Sequence, residues 1–482
     1  MQHMNNLIRQ KKAHKQMLTA EIKWLHFLLS TAIFYTFWMY FRYGQLLPAK
    51  EVGFRYNYYI LAAYGAILFF FNETYNSYLL GFNRIRDLVF SQFISQLFSA
   101  IIIYMLVSIS WNHWKACWIF LPMLAIQLFF DALWSYKANS FYLKLYPPKK
   151  TILIYRNSVD KKRAIHVKGK PSERLYRIAG ELKFDGRFSG IRKVLDDYEA
   201  VIVAGVNSRC RNGILKYCKE TGMPGFFFPH VGDVIMQEAQ HIQSFDSPIL
   251  FVSRTEIKPE YRFVKRLLDL VLSGAGIIIL SPIMAVISLA IWLHDRGPVI
   301  YRQVRLTEDG KAFEVLKFRS MIIDAEKNGV ARLSSGDSDD RVTPVGRVIR
   351  RYRLDELPQL FNILKGDMSI VGPRPERPEI AEQYYRTIPE FKLRLQVKAG
   401  LTGYAQIYGR YNTDPYEKLE FDLLYINNMS ALTDLKLIFA TLFVLFHKDS
   451  AEGIETGQIT ALNYEKGAEP EASCEDKTTV SS

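Results

Sequence analysis

Arg266–Gly297, RLLDLVLSGAGIIILSPIMAVISLAIWLHDRG, is the stretch whose reading decides how the chain is built. It is long and apolar enough to cross a hydrocarbon layer of about 30 Å. Yet Ser281-Pro282 stands at its middle. Proline has no N–H to donate and disfavours helix in the residue before it, so a sharp bend is predicted there. Lys265 and Arg266 stand at its front, and Arg296, Arg302 and Arg305 at or beyond its end. Positive flanks on both sides argue that both ends stay on one face of a membrane. Two readings fit: a full span kinked at the proline, or a helix-break-helix over about 266–294 that enters and returns. A full span would carry everything after Gly297 away from cytosolic nucleotides. The residues alone leave the choice open.

Four apolar segments precede it, near 24–44, 56–80, 88–111 and 118–142, each sufficient for a span. They predict a bundle of four transmembrane helices over 24–146. The basic N-terminal tail 1–23 carries Arg9, Lys11, Lys12, Lys15 and Lys23. Arg84 and Arg86 separate the second and third segments, and Lys144, Lys149 and Lys150 follow the fourth. The loop WNHWKAC has only Lys115. This bias puts both ends of the block in the cytosol, although Arg42, Lys50 and Arg55 make the first loop basic too. The first segment is too long for a signal peptide, and no small-residue cleavage site follows it.

Residues 151–262 read as a cytosolic α/β, Rossmann-like domain. TILIY and AVIVAGV are short β-branched runs, SRCRNGILKYCKETG (Ser208–Gly222) has helical spacing, and GFFFPHV reads as the next strand. Strand–helix alternation suggests a parallel sheet. A dinucleotide site needs G-x-G-x-x-G directly after the first strand, and the chain there reads YRNSVDKK, without glycine. That argues for a structural, dimerising or regulatory domain over a nicotinamide-binding one.

Composition agrees with a membrane protein. The 482 residues leave room for two or three domains. Apolar residues make up 49%, aromatics 14%, and the formal charge is +14. Such a basic chain suits nucleic acid, an anionic membrane surface or a phosphorylated substrate. The apolar runs favour the membrane, and no nucleic-acid motif appears. Cys117, Cys210, Cys218 and Cys474 form no C-x-x-C or Cys/His cluster, so free thiols are expected, with neither a disulfide framework nor structural zinc. Residues 448–482 are acidic and poor in large apolar groups, so a disordered tail is expected.

The dense chemical signals fall between 300 and 410. LDELPQLFNILKGDMSIVGPRPE (354–376) sets Asp355 beside Glu356, after four arginines (Arg347, Arg350, Arg351, Arg353) and before Pro373-Arg374-Pro375. We read DELPQLFNILK as a short helix with Asp355 near its N-cap, Pro358 in its first turn and Gly366 closing it. A helix N-terminus favours negative charge, so both carboxylates are expected to be ionised, able to attack or to bind a metal. The same N–H groups can hold a phosphate. Leu357, Leu360, Phe361 and Leu364 fall on one stripe, facing a core or a membrane. Two phosphorylated reactants repel a carboxylate nucleophile and each other, so arginines and a divalent cation must neutralise them. Magnesium needs only one or two carboxylates besides substrate phosphate oxygens. A carboxylate that becomes an acyl phosphate splits one hard transfer into two easier ones. An isolated Asp-Glu pair, by contrast, is ordinarily a solvated helix start.

This pair is not isolated. KRLLD, the Ser281-Pro282 break, GPVIYRQVR, Lys317-Phe318-Arg319-Ser320-Met321, DDRVTPVGRVIRR, the Asp-Glu block, AGLTGYAQI and DLLYINNMSALTDLKLI follow in order from Lys265 to about Thr441. That series resembles the bacterial polyprenyl-phosphate sugar-1-phosphate transferases, and the N-terminal spans with an α/β domain look like the larger, multi-domain members. The resemblance implies a mainly helical catalytic domain over 263–447 with a re-entrant membrane helix. It also implies transfer of a sugar-1-phosphate from a UDP-sugar to undecaprenyl phosphate, releasing UMP. This would be the first membrane step of exopolysaccharide, capsule or O-antigen synthesis. It makes Asp355 the nucleophile, through an aspartyl phospho-sugar intermediate, and Glu356 a ligand of Mg²⁺ (or Mn²⁺). Lys317, Arg319, Arg350 and Arg374 match its basic site positions. The implied setting is the bacterial inner membrane, with the catalytic domain on the cytoplasmic face, and a homodimer is compatible with it. Glucose or galactose is the expected sugar.

Pro373 and Pro375 each fix φ, so the Arg374 fork between them is pre-oriented for a phosphate or a uracil edge. The chain departs from the family pattern at Thr402-Gly403-Tyr404, where tryptophan is usual, and at Thr307, where glycine is common. Three other functions compete: an NAD-dependent nucleotide-sugar enzyme using the middle domain, a catalytically silent membrane scaffold, and a nucleic-acid binder. The missing glycine loop, the intact Asp-Glu and Pro-Arg-Pro blocks, and the absent nucleic-acid motif argue against them in turn.

Overall fold

A computed structural model describes residues 2–41, 55–110, 120–166, 175–184, 191–244, 247–322, 341–409 and 414–445. Arg42, Lys50, the loop 111–117 with Lys115 and Cys117, Asp339-Asp340, and the tail 448–482 with Cys474 lie outside them. The chain divides into two compact units, at Phe228/Pro229.

In the first unit, four helices come first: α1 (Gln2–Phe41), α2 (Arg55–Thr74), α3 (Ile85–Ser110) and α4 (Leu121–Leu145). The segment 1–23, expected as a separate tail, is helical from Gln2 onward and continuous with the first apolar segment. The helices share an apolar cluster that includes Phe34, Trp38, Tyr64, Leu68, Ile103 and Met123. The Phe34 and Tyr64 rings stack with centroids 3.7 Å apart. A second cluster gathers Leu80, Leu88, Ala138 and Tyr142. Polar side chains are buried in this block as well, among them His26, Gln96, Gln127 and Asp131.

The same unit continues with β1 (Lys149–Tyr155), α5 (Ser158–His166), β2 (Tyr176–Lys183), α6 (Ile191–Leu195), β3 (Ala200–Ala204), α7 (Ser208–Thr221) and β4 (Gly225–Phe227). The strands form one parallel sheet in the order β2-β1-β3-β4. All five residues of β3 are buried, which is what a β-branched run in a parallel sheet covered by helices requires. Helix α7 starts where Asn207 Oδ1 accepts from Cys210 N and stops at left-handed Gly222. Cys210 and Cys218 are buried thiols outside any disulfide, as expected.

The second unit opens with α8 (Val231–Glu238) and an antiparallel hairpin, β5 (Gln240–Ser244) and β6 (Ser247–Phe251). These lie within the stretch that the sequence assigns to the middle domain. Next comes α9 (Pro259–Asp295), helical throughout, with Pro282 inside it. Ser281-Pro282 therefore lies within one helical element and does not end it. Ser281 Oγ turns back to donate to Ile278 O (2.8 Å), one of the carbonyls near the proline. After α9 follow β7 (Ile300–Leu306) and β8 (Ala312–Phe318), an antiparallel pair, then α10 (Pro344–Arg351) and α11 (Gln359–Lys365). The chain continues with β9 (Ser369–Val371), α12 (Pro378–Thr387), β10 (Gly400–Thr402), α13 (Tyr404–Tyr408), α14 (Pro415–Asn427) and α15 (Ala431–Leu445). Strand β10 pairs in parallel with β9. The core packs Ile363, Met368, Val371, Tyr384, Phe391, Leu419 and Tyr425 beneath these elements.

Among the described residues, three helices are long and apolar enough to cross a membrane: His14–Tyr40, Ile85–Ser110 and Pro259–Asp295. Helices α2 and α4, where two further spans are expected, are not among them. Both carry buried polar groups within their length, Asn57 and Asn72 in α2 and Gln127, Asp131 and Asn139 in α4.

Candidate active site

Strand β8 delivers Lys317 and helix α11 carries the clamp that fixes it. Asn362 Oδ1 accepts from Leu316 N (2.9 Å) and its Nδ2 donates to Glu314 O (2.7 Å). The helix after the acidic pair is thereby tied to the strand that bears the lysine. Loop stitching by Thr307 adds to this. Its Oγ1 donates to Asp367 O (3.0 Å) and accepts from Ala399 N (3.1 Å), so the threonine that departs from the family pattern has a definite structural place.

The acidic pair does not open an α-helix. Leu354–Glu356 form a 3-10 turn after Arg353, which is left-handed at φ 53°, and α11 starts only at Gln359. Pro358 is the physical reason. It has no N–H for Leu354 O, and Leu357 N takes that carbonyl by a tighter i+3 bond (3.3 Å). Asp355 is therefore not the N-cap. Gly366 does close the helix, at φ 102°. The expected apolar stripe splits: Leu360 is buried, whereas Phe361 and Leu364 are exposed.

Glu356 is buried, and its Oε1 accepts from both Lys317 Nζ (3.0 Å) and Arg374 Nη2 (2.7 Å). Arg353 Nη1 lies 4.0 Å from its Oε2. Burial alone would raise the Glu356 carboxyl, but Arg374, Lys317 and Arg353 outweigh it and hold the group well below the usual carboxylate range. Asp355 moves the other way. Burial raises it and the Glu356 charge adds to that, against Lys317, Arg350 and Arg374. Burial lowers Lys317, with Glu356 opposing. Adjacent carboxylates pushed apart in this way are suited to different tasks. The sequence reading expects both carboxylates to be ionised; in the structure burial raises both, and the cations around Glu356 bring that one down.

Arg350, in the last turn of α10, acts on Asp355 through its charge, and its Nη1 is buried without a hydrogen-bond partner among the described residues. Arg319 goes elsewhere. It is buried and paired with Asp295 at the C-terminus of α9, against Gly297, where a Cβ would collide with the guanidinium. Ser281 and Pro282 lie within α9. Thus Asp355, Glu356, Lys317, Arg350 and Arg374 come together, and Arg319 makes no hydrogen bond to the pair.

The Pro373-Arg374-Pro375 turn is held by its carbonyls. Gly400 N donates to Pro373 O (2.8 Å), Arg394 Nη2 to Arg374 O (2.7 Å), Arg305 Nη1 to Pro375 O (3.1 Å) and Leu306 N to Glu376 O (3.0 Å). With the prolines lacking N–H groups, carbonyl capture is the means left to fix this segment. Arg394 is 3% exposed and also pairs with Asp422 (2.8 Å). Burial pushes the Asp422 carboxyl up to about 6, with Arg394 opposing. Glu376 is held low because Lys418, Arg394 and Arg305 outweigh its burial. Asn362, Arg394, Glu376 and Asp422 were not singled out from sequence. Arg305, Arg394 and Asp422 are distant along the chain, and nothing in their spacing pairs them.

Among the described residues no group of three or more His, Cys, Asp or Glu side chains could cage a metal. Glu356 and Asp355 still suit Mg²⁺, which needs one or two carboxylates when substrate phosphates complete its shell. Glu356 Oε1 is taken by Lys317 and Arg374, which leaves Oε2 and Asp355 as the carboxylate oxygens for it.

Residues 260–448 match the family described as bacterial sugar transferase. The chain is 45% identical over 212 residues to a UDP-glucose:undecaprenyl-phosphate glucose-1-phosphate transferase of Klebsiella pneumoniae, covering 43% of each chain. It is 40% identical over 192 residues to a protein of the same name from Caulobacter vibrioides, covering 39% of this chain and 71% of that one. It is 48% identical over 141 residues to a putative undecaprenyl-phosphate N-acetylgalactosaminyl 1-phosphate transferase of Bacillus subtilis, covering 29% of this chain and 78% of that one. The chain belongs to the bacterial sugar transferase family. It matches less than half the length of several larger relatives, such as the Klebsiella protein. Its three long apolar helices and its family make it a membrane protein.

Proposed function

We propose that the protein transfers a sugar-1-phosphate from a UDP-sugar to undecaprenyl phosphate, yielding undecaprenyl diphosphate sugar and UMP. The observation that carries this reading is the Asp355-Glu356 pair, with one carboxylate fixed under Lys317 and Arg374 and its neighbour raised by burial. An Asp355 oxygen attacks the β-phosphorus, and the bond from that phosphorus to the bridging oxygen breaks, so UMP leaves with the electron pair. An oxygen of undecaprenyl phosphate then attacks the same phosphorus, and Asp355 departs as carboxylate. Lys317, Arg350 and Arg374 offset the charge of the two phosphates, whereas the charge of Arg319 is met by Asp295. Glu356, with Asp355, would hold Mg²⁺, which would supply further charge neutralisation at the diphosphate. Glucose or galactose is the proposed sugar.

Membrane placement is part of the same proposal. Helices α1–α4 form a transmembrane bundle, the parallel sheet after it belongs to a Rossmann-like cytosolic domain, and α9 is re-entrant in the inner membrane with the catalytic domain on the cytoplasmic face. Contacts of α9 support this. Near its start, Arg266 donates to Ile363 O and Leu364 O (2.8 Å each), and Asp269 accepts from Ile370 N (2.9 Å). Toward its end, Ile287 and Ile291 pack with Phe318 and Ile349. The helix stays against one unit along its length and exposes Ile278, Ile279, Val286 and Leu293 on another side. UMP release from a panel of UDP-sugars, with Mg²⁺ and undecaprenyl phosphate, tests the function. One or a few active sugars are expected, and no UMP from any of them would leave the silent scaffold as the better reading.

A further inference from the structure

The four-helix block of the first unit buries a continuous polar chain. Asn72 Nδ2 donates to Tyr78 OH (3.1 Å), Tyr78 OH meets His26 Nδ1 (3.0 Å), and His26 Nε2 meets Asp131 Oδ1 (3.0 Å). Gln96 Nε2 donates to the same Oδ1 (3.0 Å) and to Ser30 Oγ (3.5 Å). Gln127 Nε2 donates to Ser30 O (3.2 Å) and Tyr64 OH (3.1 Å). His26, Ser30, Gln96, Gln127 and Asp131 are each at most 1% exposed. His26 and Ser30 stand four residues apart on α1, and Gln127 and Asp131 four apart on α4, so each pair shares one helix face.

Donors and acceptors do not balance in this chain. Tyr78 OH accepts from Asn72 and shares a hydrogen with His26 Nδ1, whose other ring nitrogen shares one with Asp131 Oδ1. Both hydrogens of Gln96 Nε2 and both of Gln127 Nε2 are used. What is left over is oxygen: Asp131 Oδ2, Gln96 Oε1, Gln127 Oε1 and, at the Asn72 end of the chain, Asn72 Oδ1 are buried with no hydrogen-bond partner among the described residues. Each of the first three groups is joined through its other atom to the Ser30 and Asp131 hub. A buried ionisable group inside a helical membrane block is costly and marks a site.

We propose that this cluster binds a monovalent alkali cation through Asp131 Oδ2, Gln96 Oε1 and Gln127 Oε1. The remaining groups are hard oxygens, which suit alkali and alkaline-earth ions over metals that seek sulfur or imidazole. Both nitrogens of His26 are already engaged. Asp131 is the one carboxylate among these groups, so the cluster holds a single acidic group. One positive charge cancels it, whereas a divalent ion would leave a buried excess.

The test uses the full chain in lipid nanodiscs and reads thermal unfolding, so it is independent of sugar transfer. Midpoints are compared at one pH and one ionic strength in sodium chloride, potassium chloride and choline chloride. Sodium or potassium is expected to raise the midpoint by about 5 °C over choline, saturating with concentration as a bound ligand does. Asp131→Asn keeps the shape and removes the charge, and should lose that dependence. The wild-type comparison needs no variant, so it decides even if Asp131→Asn does not fold. Equal wild-type midpoints in all three salts would overturn the proposal, as would an undiminished alkali effect in Asp131→Asn.

Discussion

Glu356→Gln keeps the outline of the side chain and removes the charge on which the site is built. Glu356 Oε1 takes two charge-assisted hydrogen bonds, from Lys317 (3.0 Å) and Arg374 (2.7 Å). Such bonds contribute about 1.5–3 kcal/mol each when buried. Arg374 is 38% exposed on its side chain, so its bond is discounted for screening to about 1 kcal/mol. A glutamine oxygen retains part of both, and the expected loss is about 2–3 kcal/mol at pH 7. Glu356 is depressed in the fold, so its stabilisation is present above the unfolded value of about 4.3 and lost as pH falls through the folded value. The gap between wild type and variant should therefore narrow below about pH 4. Activity should respond differently. In the proposed reaction Asp355 acts as carboxylate, so UMP release should rise with pH along its titration. That titration is raised by burial and by Glu356. Removing the Glu356 charge, and freeing Lys317 and Arg374 toward Asp355, moves the acidic limb to lower pH. Each unit of movement corresponds to about 1.4 kcal/mol of relieved repulsion. Urea unfolding and the pH profile of the residual activity measure both effects. An unchanged or upward-shifted limb, with stability intact, would refute this account of the pair.

Asp355→Asn should abolish turnover and change stability by less than about 1 kcal/mol, since it removes a raised carboxylate rather than a paired one; urea unfolding and UMP release check both. Arg394→Met should cost about 3–5 kcal/mol by stranding Asp422 and freeing Arg374 O, and Arg394→Lys should recover part of it in the same unfolding measurement. Cysteines at Lys258 and Arg302, flanking α9, should both react with an impermeant thiol reagent from the cytosolic side only, in a cysteine-free background. Reaction from opposite sides would make α9 a full span.

Local patterns were legible in the sequence. Helix α7 begins and ends where Ser208–Gly222 suggests, because Asn207 and Gly222 are local cap signals. The cluster of Asp355, Glu356, Lys317 and Arg374 was also visible, since their blocks follow in a recognisable order. What stayed hidden depends on through-space partners. The 3-10 turn at Leu354–Glu356 follows from the missing Pro358 N–H acting with left-handed Arg353. Arg319 and Lys317 are two residues apart, yet Asp295 draws Arg319 to the end of α9. The Arg394 clamp joins residues 374, 394 and 422, a link that no short window contains.

The most direct test of the account is covalent labelling with UDP-glucose and UDP-galactose carrying ³²P in the β-phosphate, in the presence of Mg²⁺ and without lipid acceptor. The account predicts radioactivity on the wild-type chain with equimolar UMP release, none on Asp355→Asn, and discharge of the label when undecaprenyl phosphate is added. An unlabelled wild-type chain, with UMP appearing only when both substrates are present, would contradict the aspartyl intermediate.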